Sequence, residues 1–302
     1  MRQCEKDQDG MPANILFLTT YPVEEARHWN LEVYKELRAR SIMTSFVPWR
    51  DSTLTAADIC EYTHVVFLIC GYYIFYIEDF HKFIETVLLP AEALKPSLRF
   101  INHPSIVLWN SNKTYLQALE KEGFPVPHTQ YLDATQSLKS LELAVGSHAS
   151  HGPLVVKPSV SASGRSTHLI KDPSNLTEDD RNFLLDITQL PQRGSIMLQD
   201  YIPDIKHGEY SLVFINGSMI SSFLKMPAGE EFRVQEEYGG FIKPVQKSAV
   251  PESAVKIGEQ LWTYLTVRFP DKELVYARID GVVKQDGSFV LIGKAIKCRW
   301  IC

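Results

Sequence analysis

Five short stretches of this chain carry side chains of the kind that handle phosphate and metal. In "LVVKPSVSASGRSTHLI", Lys157 ends a buried apolar run and is followed by a turn containing Ser161, Ser163 and Gly164. Small residues let backbone N–H groups approach phosphate oxygens, and Lys157 would place a positive charge beside them. In "WNSNKTYLQAL", Lys113 stands near a helix start, with Asn110 and Ser111 as candidate caps. A cation does not suit that end of a helix dipole unless an anion is shared between them. Glu209 precedes a strand and could accept two sugar hydroxyls, and "LKMPAGEEFRVQEEYGG" gathers Lys225, Arg233 and Gln235 before a Gly pair. Read as strand, that segment turns Arg233 and Gln235 to one face, which suits an oxyanion. Asp280 lies in "YARID". Each residue also has a plain structural reading: a lysine at a hairpin edge, a solvated surface lysine, an acid at a strand start, polar residues on an exposed face.

The elements that must position these residues are legible as periodicities. "NILFLTT", "SFVPW" and "HVVFLIC" are short apolar strands, and helices are expected in "EARHWNLEVYKELRAR" and around 55–62 and 78–94. Strands alternating with helices argue for an α/β unit with a helix-covered parallel sheet. "FINHPS" closes it with a strand and a Pro turn. A second unit begins near Leu108 with a capped helix ending at Gly123, then strand, Gly/Ser-rich turn and strand around Lys157. A third begins at "SIMLQDYI" and contains "YSLVFINGSMISSFLKM", two strands around an Asn-Gly turn, followed by a helix over 251–269.

The order of these pieces resembles the ATP-grasp ligases. It is most similar to the group containing glutathione synthetase and the ATP-grasp ligase of cycloserine biosynthesis, with D-alanine–D-alanine ligase more distant. "INHPSIVLWNSNKTYL", "VVKPSVSASG" and "EFRVQEEYGG" carry the resemblance, which covers roughly residues 14–292. It implies an ATP-grasp fold, two α+β subdomains clasping ATP, preceded by a Rossmann-like domain. The implied limits are a disordered leader over 1–12, an N-terminal domain over 13–105, and ATP-grasp subdomains over 106–195 and 196–302.

By this resemblance Lys113 and Lys157 would contact the ATP phosphates, with Ser161, Ser163 and Gly164 in the covering loop. Gln199, Asp200, Tyr201 and Ile202 would form the hinge beside adenine, and Glu209 would hold the ribose. Lys225, Arg233 and Gln235 would serve the triphosphate and an acyl phosphate, Lys225 and Arg233 as catalytic residues. Asp280 would be the first magnesium ligand. The implied reaction activates a small carboxylate with ATP and passes it to an amine, amino acid or small peptide, releasing ADP and phosphate.

The hairpin "YARIDGVVKQDGSFVLIGKAIKC" bears on the metal. With Asp286-Gly287 as a two-residue turn, paired residue numbers sum to 573 and Asp280 faces Gly293. The resemblance implies a glutamate at 293 and a further acid at 295, where this chain has Gly293 and Ala295. Two readings follow: a ligase-like fold with an incomplete magnesium site, or a truncated product. Truncation is favoured, because the likeness stops abruptly at Gly293, and Gly-Lys can be encoded by a splice-donor pattern. Catalysis by this chain is expected to be impaired.

Composition sets outer bounds. The 302 residues are 45% hydrophobic and 22% charged, with a net charge of −5, so nucleic acid and anionic membrane are poor partners. No apolar run reaches the roughly 20 residues of a membrane span, and the polar start "MRQCEKDQDG" is no secretory signal. Five cysteines without zinc-type spacing read as free thiols in a reducing cytoplasm. "HASH" (His148, His151) could hold a metal, but no acid or cysteine accompanies the pair in sequence, and a solvated loop is the expectation. Core packing is the expected role for most of Tyr72, Tyr73, Phe75 and Tyr76.

Overall fold

A computed structural model describes residues 12–20, 31–68, 70–191 and 194–295. They form two compact units. One comprises residues up to Trp109 together with Leu265–Ala277; the other comprises Asn110–Tyr264 and Arg278–Lys294.

The first unit is built on a parallel sheet of β1 (Asn14–Thr19), β2 (Met43–Pro48), β3 (His64–Phe67) and β4 (Arg99–Ile101), in the order β2-β1-β3-β4. Both faces are buried, so the strands read as continuous apolar runs rather than alternating ones. Leu16, Leu18, Val65, Phe67 and Phe100 pack on one side, and Phe17, Phe46 and Val66 on the other, under Tyr34 and Leu37 of α1 (Leu31–Ala39). Thr55 caps the short α2 (Ala56–Ile59) through a reciprocal box with Asp58. The helical run after Gly71 comprises α3 (Ile77–Phe83), a π turn over Ile84–Leu88 and α4 (Leu89–Leu94). Contrary to expectation, Tyr72, Phe75 and Tyr76 are exposed: the first two lie on a 3₁₀ turn, Gly71–Phe75, before that run, and Tyr76 joins the turn to the helix. Tyr73 turns inward, and burial pushes its hydroxyl up to about 12. Helix α5 (Pro104–Asn110) follows β4.

Late residues complete this unit. Asn102 accepts the Val275 and Tyr276 amides through Oδ1 and donates to Tyr276 O through Nδ2. The His103 amide donates to Glu273 O, and Arg99 makes a two-pronged ion pair with Glu273.

The second unit holds two sheets. The first has the order β5-β8-β6-β7, from β5 (Thr129–Leu132), β6 (Leu154–Pro158), β7 (His168–Ile170) and β8 (Ile196–Asp200). One face packs against α7 (Leu138–Ser147) and α8 (Glu178–Gln189) through Leu141, Val145, Leu184 and Ile187. The short α6 (Tyr115–Lys121) precedes it. The second sheet runs β11-β10-β9-β12-β13, from β9 (Glu209–Ile215), β10 (Ser218–Met226), β11 (Phe241–Val245), β12 (Tyr276–Val283) and β13 (Phe289–Ala295). Helix α9 (Glu252–Arg268) covers one of its faces, with Trp262 stacked on Phe214 and Gly258 set against Phe214 and Ile279. Asn216 and Gly217, both at positive φ, make the expected hairpin turn between β9 and β10.

Among the described residues, no helix is long and apolar enough to cross a membrane. Cys60 and Cys70 are free thiols; Cys4, Cys298 and Cys302 lie outside the described residues.

Candidate active site

The faces of these two sheets that the helices leave uncovered carry most of the candidate residues. Along β9, Glu209 and Ser211 point the same way because strand side chains alternate. The β9–β10 register sets Lys225 opposite Glu209, and β12 brings Asp280 alongside β9. The Lys225 ammonium donates to Glu209 Oε1 at 2.7 Å and to Asp280 Oδ1 at 3.3 Å. Ser211 Oγ also donates to Asp280 Oδ1. Arg278, two residues back on the same strand face, closes on the Asp280 carboxylate with Nε at 2.9 Å from Oδ1 and a terminal nitrogen at 2.8 Å from Oδ2. Glu209, Ser211, Lys225 and Asp280 are all buried. Burial opposes ionisation of Asp280. The charges of Arg278 and Lys225, with the donors from Arg278 and Ser211, outweigh it and hold the carboxyl well below the usual carboxylate range.

On the other sheet, Lys157 of β6 is opposite Met197 and diagonal to Gln199. Its ammonium donates to Gln199 Oε1 at 2.7 Å, and Gln199 Nε2 donates in turn to Thr129 Oγ1 at 2.9 Å. Burial pushes the lysine down to about 8, against the pull of the Glu209 charge. Lys113 reaches the loop after β6, donating to both Ser161 O and Ser161 Oγ, the latter at 2.6 Å. That loop has Ser163 at φ 53° and Gly164 at φ 65°. A Cβ on Gly164 would lie 2.7 Å from Gln235 Oε1, a buried oxygen with no hydrogen-bond partner. The Tyr238 hydroxyl donates to Gly164 O at 3.3 Å.

Several expectations are corrected. Helix α6 starts at Tyr115, with Thr114 in the cap position; Asn110 ends α5 and Ser111 is buried, so neither caps the helix after Lys113. Arg233 and Gln235 are not on a strand. Arg233 instead pairs with Glu231 at 2.7 Å and lies 3.6 Å over the Tyr238 ring, while Gln235 faces Gly164. Among the described residues, no hydrogen bond or ion pair joins Lys225 to Arg233 or Gln235. In the 199–202 segment the Asp200 amide donates to His128 O and the Tyr201 amide to Pro153 O, and Ile202 O accepts from Ile205.

The last hairpin turns on three residues rather than two. Lys284 N–H donates to Ser288 O, Gly287 N–H donates to Lys284 O, and Gly287 sits at φ 80°. Lys284 therefore pairs with Ser288, one residue off the expected count. Continued from that pair, the count sets Asp280 opposite Ile292 rather than Gly293. The neighbouring strand comes close at Gly281, where a Cβ would lie 2.6 Å from Val290 O. Gly293 itself is not required by packing: the nearest atom to a Cβ there is Tyr115 Oη at 4.0 Å. Nothing is described of the Ala295 side chain.

Arg278, Ser211 and Thr129 were not singled out from the sequence. The two-residue spacings Arg278–Asp280 and Glu209–Ser211 carried the signal for the first two, because such pairs share a strand face. Thr129 needs the β5–β8 register, which the sequence does not display.

The site offers the ammonium groups of Lys113, Lys157 and Lys225 and a small-residue loop with left-handed backbone, a donor set that fits a polyphosphate. For magnesium it offers the Asp280 carboxylate, already engaged by Ser211, Lys225 and Arg278; among the described residues Asp280 belongs to no group of three potential metal ligands.

Residues 127–282, just over half of the chain, match the family described as prokaryotic glutathione synthetase, ATP-grasp domain. The chain is 31% identical over 96 residues to a glutathione synthetase of Synechocystis sp., covering 31% of this chain and 28% of that protein. It is 25% identical over 128 residues to one of Prochlorococcus marinus, covering 42% and 38% respectively. These matches span less than half the length of those relatives. Among solved structures, D-cycloserine synthetase superposes with a TM-score of 0.70 at 21% identity, covering 94% of this chain and 91% of that one. D-alanine–D-alanine ligase from Bacillus anthracis superposes with a TM-score of 0.66 at 17% identity, covering 94% and 87%. At such identities the likeness is one of fold.

Proposed function

The chain belongs to the prokaryotic glutathione synthetase ATP-grasp domain family, and on that footing we propose that it binds ATP and acts as an ADP-forming carboxylate–amine ligase on an amino acid or small peptide. The observation that carries the nucleotide reading is Lys157. Its side chain is half-buried, and desolvation pushes the ammonium, hydrogen-bonded to a neutral amide, down to about 8. A desolvated cation so placed is stabilised by an anion, and Lys113 with the Ser161–Gly164 loop lies alongside to share it. In this reading Lys113 and Lys157 bind phosphates while Glu209 takes ribose hydroxyls. Gln199 and Asp200–Ile202 line the adenine. The Asp200 and Tyr201 amides already bond within the protein, and this reading assigns the Ile202 N–H, just past the strand end, as the donor for the base.

Lys225 and Arg233 would neutralise the charge that develops as the phosphoryl group moves to the carboxylate, and Gln235 would orient it. Magnesium would be held by Asp280 together with the nucleotide's own phosphates, an arrangement this ion accepts because it needs few protein carboxylates. Bound there, it would neutralise phosphate charge. The free thiols of Cys60 and Cys70 support a reducing, cytoplasmic setting.

A second reading is a nucleotide-binding protein with impaired turnover. It is favoured by the crowding of Asp280 with three donors and by Gly293, a glycine that packing does not demand. One experiment separates the two. ADP release is measured with Mg·ATP across amino acids, dipeptides and small carboxylates, for the chain and for Gly293→Glu. Substrate-dependent ADP release by the chain supports the ligase. Release only by Gly293→Glu supports impairment at the metal. No release by either, with no ATP binding, overturns both.

A further inference from the structure

The HASH segment does have an acid beside it, brought there by the fold. His148 and His151 form a single 3₁₀ turn that follows α7. With three residues per turn, positions i and i+3 eclipse, so both imidazoles project from one side. The chain then turns at Gly152 and enters β6 at Leu154, whose partner across the sheet is Asp200, the last residue of β8. Register thus delivers a carboxylate to the histidine pair. His148 Nε2 lies 2.8 Å from Asp200 Oδ1, and His151 Nδ1 lies 3.8 Å from the same oxygen. The three donor atoms all fall within 4.8 Å of one another. A third imidazole, His128, stacks at 5.1 Å on His151 and 6.3 Å from His148, and its carbonyl accepts the Asp200 amide.

We propose that His148, His151 and Asp200 form a site for a borderline divalent cation of the zinc type, joining the 3₁₀ turn after α7 to the end of β8. Two imidazoles and a carboxylate are a donor set suited to zinc rather than to magnesium, which prefers oxygen ligands alone. With metal–donor bonds of about 2.0–2.2 Å, donors in a tetrahedral site stand about 3.4 Å apart. The 2.8 Å separation must open and the 3.8 Å one must close, each by less than an ångström. The set leaves a fourth position for water, or for His128 after a side-chain rotation. Asp200 is common to both sites, its side chain facing the histidines and its backbone lying in the segment assigned to the adenine, while Lys113, Lys157, Glu209, Lys225 and Asp280 take no part in the ion site.

The test is a titration of the full chain with Zn²⁺ and with Co²⁺, following thermal stability and the Co²⁺ absorption spectrum, with Mg²⁺ as the hard-ion control. One Zn²⁺ per chain is expected to bind and raise the melting temperature, which Mg²⁺ at the same concentration does not do. His151→Asn, at a partly exposed position, is expected to fold normally and weaken Zn²⁺ at least tenfold. His148→Gln does the same in a second, independent variant. Absence of saturable binding overturns the proposal. So does unchanged affinity in both variants, which would place the ion elsewhere, or a Co²⁺ spectrum dominated by thiolate charge transfer, which would assign it to cysteines.

Discussion

Lys157 is a residue whose consequences can be followed without any other part of the mechanism. Desolvated and pushed down to about 8, it binds fewer protons in the folded chain than in the unfolded one between about pH 8 and its ordinary value of 10.5. Stability rises with pH wherever the unfolded state holds more protons, so the cost of burying this ammonium is fully present below pH 8 and fades toward pH 10.5. Bound phosphates would reverse the shift. At pH 8 the free ammonium is about half protonated and the bound one fully so, and ATP binding should take up about half a proton. Calorimetry in buffers of different ionisation enthalpy reads this directly, and Lys157→Met should abolish the buffer dependence. An unchanged dependence in that variant would remove Lys157 from the phosphate site. The lysine was legible in the sequence because it ends an apolar run before a small-residue loop. Its partner Gln199 was read as hinge backbone, because no local pattern tells that its side chain crosses to β6.

Register is where the elements depart from what the sequence displays. Counted from the Asn216-Gly217 turn, Glu209 would face Leu224 and Lys225 would point to the helix-covered side. A bulge between Met219 and Ser221 shifts the ladder by one, and only beyond it does Lys225 oppose Glu209. The extra residue, Ile220, is exposed, so its burial gives no hint of its effect. Lys225→Met should therefore leave Glu209 and Asp280 without their shared cation, with an expected loss of about 3–5 kcal/mol in urea denaturation, the usual cost of breaking a buried ion pair. Deleting Ile220 should change much less, because Ser221 then follows Met219 and Lys225 still opposes Glu209 in a regular ladder. A loss from the deletion as large as that of Lys225→Met would mean that the bulge itself is needed to seat the lysine. The Asp280 hairpin carries the same lesson through its turn, where Lys284–Ser288 pairing moves the count by one. Apolar periodicity predicts which segments are strands; the offset between them is decided by one inserted residue or one turn type, and neither leaves a compositional trace.

For the molecule as a whole, binding and stability are linked. A ligand at 100 times its Kd that binds only the folded state adds about 2.7 kcal/mol. ATP should accordingly raise the melting temperature by several degrees, and GTP by less if the 199–202 segment reads adenine. A flat response to both would remove the nucleotide site altogether. The α/β class and the helix-covered parallel sheet were legible because both periods are strong in the sequence. Less so was the make-up of the first unit, which takes Leu265–Ala277 from more than 150 residues downstream. Asn102 fastens that return through three hydrogen bonds to Val275 and Tyr276, and Arg99 through Glu273. During synthesis, then, the first hundred residues emerge long before their fastener. At ribosomal speeds of about 5–20 residues per second, roughly 10–30 s pass before Glu273 and Tyr276 can close on them. Until then β4 lacks its clasp, and the nascent sheet is the part of this chain most in need of chaperone cover.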